Sequence, residues 1–307
     1  MINYNWLPLL GDYQLEDNII IYNGNQVIRE NEEVVIELGN LIFDKYFNEG
    51  IIKAEIEFED TNLTDGYGCD IILNYKNTDT TPEMLCVGID KSKHFMFELK
   101  SFKNSKWEFY KFSGDSKAFK CNQRYFIEVE YKGNLVKLKV NGINVMEGIV
   151  PFSTTTSQVG IWCRSNGRIK IYNYEIHNTK PKAFVVMQFT HQFNELYQDV
   201  IKRICDKYNI EAVRADDIYN NGMIIHDITS NIIEAKVVIA DVTPKNPNVY
   251  YEVGYSHALS KPTILLAEEG TELPFDVKPY RVIFYTNSIG GKKSIEEHLD
   301  IHIKQIL

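Results

Sequence analysis

Ile239-Ala240-Asp241-Val242-Thr243-Pro244-Lys245-Asn246-Pro247-Asn248-Val249-Tyr250-Tyr251-Glu252-Val253-Gly254-Tyr255-Ser256-His257-Ala258-Leu259-Ser260-Lys261-Pro262 is the stretch whose pattern decides the fold. An apolar run over 237–240 ends on Asp241, and a loop rich in Asn and Pro follows. From 249 to 259 the spacing then predicts a helix that stops short of Pro262. Outward from there the same rhythm repeats. Ala183-Phe184-Val185-Val186-Met187 is a continuous apolar run of strand length, and 193–208 carries Phe193, Leu196, Tyr197, Val200, Ile201 and Ile204 at helical spacing. Strands are expected over 210–214, 263–267 and 282–285, and helices over 223–235 and 294–306. Alternation of this kind predicts a parallel sheet with helices on both faces. Ligands of such sheets sit beyond the carboxyl ends of the strands, where the strand order reverses.

Residues 1–178 have a different period. In Ile52-Lys53-Ala54-Glu55-Ile56-Glu57-Phe58-Glu59 apolar and charged residues alternate strictly, the signature of a strand with one wet face, and 135–140 repeats it with Lys137 and Lys139 outward. Asn23-Gly24, Lys132-Gly133-Asn134, Asn141-Gly142 and Asn166-Gly167 punctuate these runs as turns. Many short strands at this spacing predict an all-β sandwich or barrel. The change of period around Asn178-Thr179-Lys180-Pro181 divides the chain into a β domain over 1–178, a linker over 179–182 and an α/β domain over 183–307.

Composition narrows the function classes. The 19 Tyr and 16 Phe favour β structure. Five cysteines, Cys69, Cys86, Cys121, Cys163 and Cys205, lie far apart with no CxxC pair, which is neither a disulfide framework nor a zinc pattern, so reduced thiols and a cytoplasmic location are expected. No run approaches the length of a membrane span and no secretory signal is visible, so no membrane partner is expected. A formal net charge of −9 without a Lys/Arg cluster argues against long nucleic acid. The absence of GxGxxG after the first α/β strand, and of GxxxxGK[ST], argues against a Rossmann dinucleotide site and a P-loop. No ligand spacing implies a metal, and no cofactor is expected, NAD entering only as a substrate.

The β half resembles a concanavalin A-like or laminin-G-like jelly-roll sandwich. The residues that carry this are Gly50-Ile51-Ile52-Lys53-Ala54-Glu55-Ile56, Tyr125-Phe126-Ile127-Glu128-Val129, the Val140-Asn141-Gly142 hairpin and Gln158-Val159-Gly160-Ile161-Trp162. The resemblance implies glycan binding, or dimerisation or protein docking. Over 184–285 the chain resembles the nucleoside 2-deoxyribosyltransferase-like superfamily, which borders on Toll/interleukin-receptor-type NAD-cleaving domains. It does so through Asp241 at a strand end, then Glu252-Val253-Gly254-Tyr255-Ser256-His257-Ala258, then Lys261-Pro262. That resemblance implies a flavodoxin-like domain in which Glu252 is the nucleophile toward the anomeric carbon and Asp241 partners it or the sugar hydroxyls. The transferases carry Asp and then Gly-Thr in the loop where this chain has Asn246 and then Asn248-Val249, which removes a loop charge. Related domains occur in bacterial antiphage systems.

The residues also admit plainer roles. Asp241 and Glu252 are expected to face one pocket, raising the pKa of at least one, although an Asp ending a strand also serves as a turn former. Gln188 and Phe189 follow the first α/β strand and suit the edge and face of a base, or only a tight turn; in the resembling family this loop lines the base site. Arg214, Asp216 and Gly222 precede a helix start that suits a phosphate, with an Arg–Asp surface pair as the alternative. Asn246 and Asn248 are candidate ligand contacts, and Asn248 equally a helix cap. His257 and Gly254 are expected to pack. The function these residues predict is cleavage or transfer of an N-glycosidic bond of a nucleoside, nucleotide or NAD, with the sandwich as a recognition or oligomerisation module. A non-catalytic nucleotide sensor, and a glycan- or protein-binding sandwich with an α/β effector, remain open, as does a homo-oligomer.

Overall fold

The computed structural model describes residues 5–16, 18–24, 26–28, 34–59, 66–78, 81–91, 94–217 and 223–307. The chain divides into two compact units, one of residues 1–131, 136–149 and 156–179, the other of 132–135, 150–155 and 180–307. The division is therefore not a single cut. Within the second unit Asn134 donates from Nδ2 to the Leu259 carbonyl at 2.9 Å, and the buried Lys236 donates to the Thr154 carbonyl.

Apart from a short helical turn at Ser116–Ala118, the regular structure of the first unit is β: β1 (Trp6–Leu10), β2 (Tyr13–Glu16), β3 (Ile19–Asn23), β4 (Gln26–Ile28), β5 (Val34–Ile36), β6 (Leu38–Phe47), β7 (Gly50–Phe58), β8 (Tyr67–Lys76), β9 (Glu83–Lys91), β10 (Phe97–Lys103), β11 (Lys106–Ser113), β12 (Arg124–Lys132), β13 (Leu135–Val140), β14 (Ile143–Ile149), β15 (Ser157–Arg164) and β16 (Arg168–Asn178), with Lys132 and Leu135 at the ends of β12 and β13 counted in the second. They form two seven-stranded antiparallel sheets, β1-β6-β15-β8-β9-β10-β11 and β14-β13-β12-β7-β16-β3-β2, in a jelly-roll-like sandwich; β4 and β5 pair separately. The alternation along β7 does what its sequence requires. Ile52, Ala54, Ile56 and Phe58 are buried, while Lys53, Glu55 and Glu57 stay partly exposed. Asn141 and Gly142, with φ of 50° and 80°, form the two-residue turn between β13 and β14, a left-handed pair that Asn-Gly adopts at low cost.

Strand β8 is buried along nearly its whole length, which encloses charge as well as apolar side chains. Lys100 on β10, 2% exposed, reaches Asp70 at 3.1 Å, Glu98 at 3.4 Å and the Asp90 carboxylate. Its ammonium lies 4.0 Å from the centre of the Trp162 ring, and Arg164 closes the group on Asp90 at 3.0 Å. Burial pushes Asp70 up to about 6 against the pull of Lys100, and pushes Glu98 up to about 7. Burial alone would lower the lysine; the three carboxylates outweigh it and raise it.

The second unit holds β17 (Lys182–Val186), α1 (His191–Leu196), α2 (Lys202–Lys207), β18 (Glu211–Arg214), α3 (Ile224–Glu234), β19 (Val237–Asp241), α4 (Pro247–Ala258), β20 (Thr263–Glu268), β21 (Val282–Tyr285) and α5 (Ile289–Ile306). The five strands pair in parallel in the order β18-β17-β19-β20-β21. Alternate side chains feed two cores. Val185, Ile239 and Leu266 pack with Leu196, Val200, Ile204, Leu299 and Ile303 of α1, the following turn, α2 and α5. Phe184, Val186, Val238 and Leu265 pack with Ile232 of α3 and Val249 and Val253 of α4. Both faces of the sheet are thus covered, as its apolar strands demand. No helix among the described residues is long and apolar enough to cross a membrane.

Removing the cation from a buried ionic group leaves its carboxylates uncompensated, at a typical cost of about 3–5 kcal/mol. Lys100→Met should lose stability on that scale at pH 8 in urea unfolding, and less at pH 5.5, where Asp70 and Glu98 already carry protons. An equal loss at both pH values would show that packing, not charge, is what Lys100 supplies.

Candidate functional site

The chain runs from β17 to β18 on one side of the sheet and then to β19 on the other, so the strand order reverses between β17 and β19. At the carboxyl ends there, a cavity of about 860 Å³ opens. Its wall is built from four segments. The end of β17 and the loop after it supply Met187, Gln188, Phe189 and Thr190; the turn after β18 supplies Ala215 and Asp216; the start of α3 supplies Ile224, Ile225, Asp227 and Ile228; and α4 with its approach supplies Asn246, Asn248, Val249, Tyr251 and Glu252.

The start of α4 follows from its sequence. Asn246 is the N-cap, its side chain accepting from the Asn248 N–H at 2.9 Å, and Pro247 takes the first helical position, where its missing N–H costs nothing. The cap is thus Asn246, two residues ahead of the Asn248 named as a candidate cap. Because the helix begins two residues before the expected 249, Glu252 falls in the second turn instead of the first. Asn248 and Glu252, four apart, share the face toward the cavity.

Glu252 is half-buried, and among the described residues its carboxylate has no hydrogen-bond or ion-pair partner. Burial pushes it up to about 7. The like charge expected to contribute does not, because Asp241 is elsewhere. That residue is 1% exposed, outside the cavity wall, and accepts from the Tyr285 hydroxyl at 2.6 Å and the Thr243 N–H at 2.9 Å. Burial raises Asp241 to about 7 against the pull of those two donors. Its geometry is that of an anchor for the loop leading to Asn246, so the two carboxylates do not share the pocket.

Arg214 also departs from expectation. It is 4% exposed, does not line the cavity, and gives Nε and Nη2 to the two oxygens of Asp216, each at 2.5 Å. The guanidinium lies 5.2 Å from the Phe189 ring centre and 4.6 Å from that of Tyr197. It is a buried strut under the cavity wall, neither a surface pair nor a guanidinium open to phosphate. Asp217 fixes the same turn by accepting from the Tyr197 hydroxyl at 2.7 Å. Gly222 lies outside the described residues.

Gln188, Phe189, Asp216, Asn246, Asn248 and Glu252 are therefore brought to one cavity, and Asp241 and Arg214 stand behind it. His257 packs, its ring stacked 4.0 Å from that of Tyr280. Gly254 does not serve close packing: it is exposed, and a Cβ there would meet nothing within 4 Å. Sequence reasoning missed Asp227 and Tyr251. The spacing of Ile224, Asp227 and Ile228 on one helical face was the available signal for the first, and Tyr251 beside Glu252 for the second. Among the described residues no cluster of His, Cys, Asp or Glu has the form of a metal site.

No protein-family model matches the chain, and no curated protein matches it in sequence. Among solved structures it is similar to a carbohydrate-binding module of Bacillus subtilis, at 14% identity and a TM-score of 0.45, over 56% of this chain and 95% of that one. It is similar to a β-glucanase of Bacillus licheniformis, at 12% identity and a TM-score of 0.38, over 57% of this chain and 95% of that one. A CMP N-glycosidase of Clostridium botulinum is similar at 19% identity and a TM-score of 0.33, over 39% of this chain and 98% of that one.

If the Tyr285 hydroxyl is what lets Asp241 ionise in place, Tyr285→Phe should cost about 1–3 kcal/mol at pH 8, the range for stranding a buried polar group. Chemical unfolding would measure it. A variant as stable as the parent at pH 8 would show that the carboxyl is already neutral.

Proposed function

We propose that the second unit is a flavodoxin-like, deoxyribosyltransferase-like domain that cleaves or transfers the N-glycosidic bond of a nucleoside, nucleotide or NAD, with Glu252 meeting the anomeric carbon. The observation that carries this is a partnerless carboxylate, desolvated by its surroundings, facing a cavity of about 860 Å³ at the switch point of the sheet. A buried carboxylate without a fixed cation is costly to ionise. An oxocarbenium-like sugar carbon is the kind of charge that offsets such a cost in the transition state.

In this mechanism a Glu252 oxygen bonds to the anomeric carbon as the bond to the base nitrogen breaks, the base taking the electron pair. Water or a second acceptor then attacks the same carbon, releases the carboxylate and gives up its proton, which balances the one taken up by the departed base. In this reading Phe189 and Tyr251, which line the cavity, stack on the base, Gln188 reads its edge, and Asn248 and Asp216 bond sugar hydroxyls. Asp241 acts through the loop it anchors, as a positioning residue. The sandwich unit serves recognition or self-association; a chain that sediments as a monomer and binds no glycan on an array would remove both roles.

A nucleophile must be ionised, so kcat/KM should rise with pH through an apparent pKa of about 7 and level above it. Glu252→Gln keeps the shape of the side chain and removes the nucleophile. Ligand affinity should stay within a few fold while turnover falls roughly a thousandfold, about 4 kcal/mol in the barrier. Chromatography of free base released from a panel of nucleosides, nucleotides and NAD would measure it. Retention of most activity in Glu252→Gln sinks the assignment, and a wild type that binds a nucleotide tightly but releases nothing is a sensor.

A further inference from the structure

Two of the five cysteines are brought face to face by the sandwich. Cys69 on β8 and Cys163 on β15 are direct partners in the antiparallel register, between Gly68 opposite Arg164 and Asp70 opposite Trp162. Both strands lie inside their sheet, β15 between β6 and β8, and β8 between β15 and β9. The two side chains are 0% exposed, and their sulfurs are 3.7 Å apart, the Cys163 thiol donating to the Cys69 sulfur. The Tyr13 hydroxyl, on β2 of the other sheet, lies beside Cys163. Cys86 and Cys205 belong to separate apolar clusters, and Cys121 is half-buried.

We propose that Cys69 and Cys163 are a disulfide site, closed by exchange with a low-molecular-weight disulfide when the sandwich opens or folds. Residues directly opposite on antiparallel strands have Cα atoms about 4.5 or 5.5 Å apart. Both spacings fall within the roughly 4.4–6.8 Å that a disulfide spans. The sulfurs need to come only about 1.7 Å closer to reach bonding distance, which side-chain rotation supplies without re-pairing the strands. In the exchange one thiolate attacks a sulfur of the reagent disulfide and expels a reagent thiolate. Its partner then attacks the mixed disulfide and expels the second. The protein gives up two protons and two electrons, and the reagent is reduced to two thiols. Burial sets when this happens. A reagent cannot reach a side chain that is 0% exposed, and desolvation holds the Cys69 thiol well above its ordinary range, so the closed sandwich offers little thiolate. Exchange therefore belongs to the opened chain, and the bond acts as a staple instead of a rapid sensor. Once formed, it ties positions 94 apart in sequence and restricts the unfolded chain, which stabilises the sandwich.

The test incubates the full chain with excess oxidised glutathione at a urea concentration just below its unfolding midpoint, where molecules open and reclose. The sample is then quenched in acid, alkylated in denaturant and digested. Mass spectrometry should find the Cys69 and Cys163 peptides joined to each other. The joined chain should have a higher urea midpoint than the same chain kept in excess reduced glutathione. Cys163→Ser and, separately, Cys69→Ala should show neither the joined peptides nor the difference in midpoint. Alkylation of both Cys69 and Cys163 after equilibration overturns the proposal. So does a bond from either of them to Cys86, Cys121 or Cys205 in place of this pair, or a joined chain no more stable than the reduced one.

Discussion

Alternate side chains of β17, β19 and β20 enter two apolar cores on opposite faces of the parallel sheet, and the placement of Asp241 and of the cavity residues depends on that burial. A strand with both faces covered has no room for charge along its length, so polar chemistry is displaced to its carboxyl end. There Asp241 terminates β19, and Gln188 and Phe189 follow β17. The same covering makes the strand ends poorly hydrated. Asp241 meets this with a tyrosine hydroxyl and a backbone N–H, while Glu252 has only the cavity before it.

Much of this frame was legible in the residues. The apolar runs and helical spacings of 183–307 place each strand and helix within a few residues of where it lies, because a continuous apolar run flanked by turn residues has few other uses. The strict alternation at Ile52 to Phe58 likewise has one outcome, a half-buried strand. What sequence could not supply was the direction of side chains at the strand ends. Asp241 and Glu252 are eleven positions apart with a loop between them, and nothing in their spacing says that one turns back under the sheet to Tyr285 while the other looks into the cavity. Arg214 was misplaced for a related reason. An Arg two residues from an Asp looks like a solvent pair until the rings of Phe189 and Tyr197 are known to enclose it.

Burial of Glu252 leaves a thermodynamic trace that burial for packing would not. Its carboxyl titrates ordinarily at 4.5 in an unfolded chain and at about 7 in the fold. Between those values the native state holds a proton that the unfolded chain releases, so stability falls as pH rises across the window and stays lower above it. The side chain is partly exposed, and solvent screening makes this penalty smaller than the shift alone implies.

The two units give that observation its contrast. Asp70 and Glu98 in the sandwich are also carboxyls raised by burial, to about 6 and about 7, yet each reaches Lys100, which lies among Asp90, Trp107 and Trp162. Each has a cation beside it inside the protein. Glu252 carries a comparable shift with no cation, no donor and open space in front of it. A raised pKa by itself therefore does not distinguish Glu252 from Asp70 and Glu98; the missing partner does. On the reading proposed for this cavity, a sugar carbon losing its base would supply at the moment of reaction the positive charge that Lys100 supplies in the sandwich.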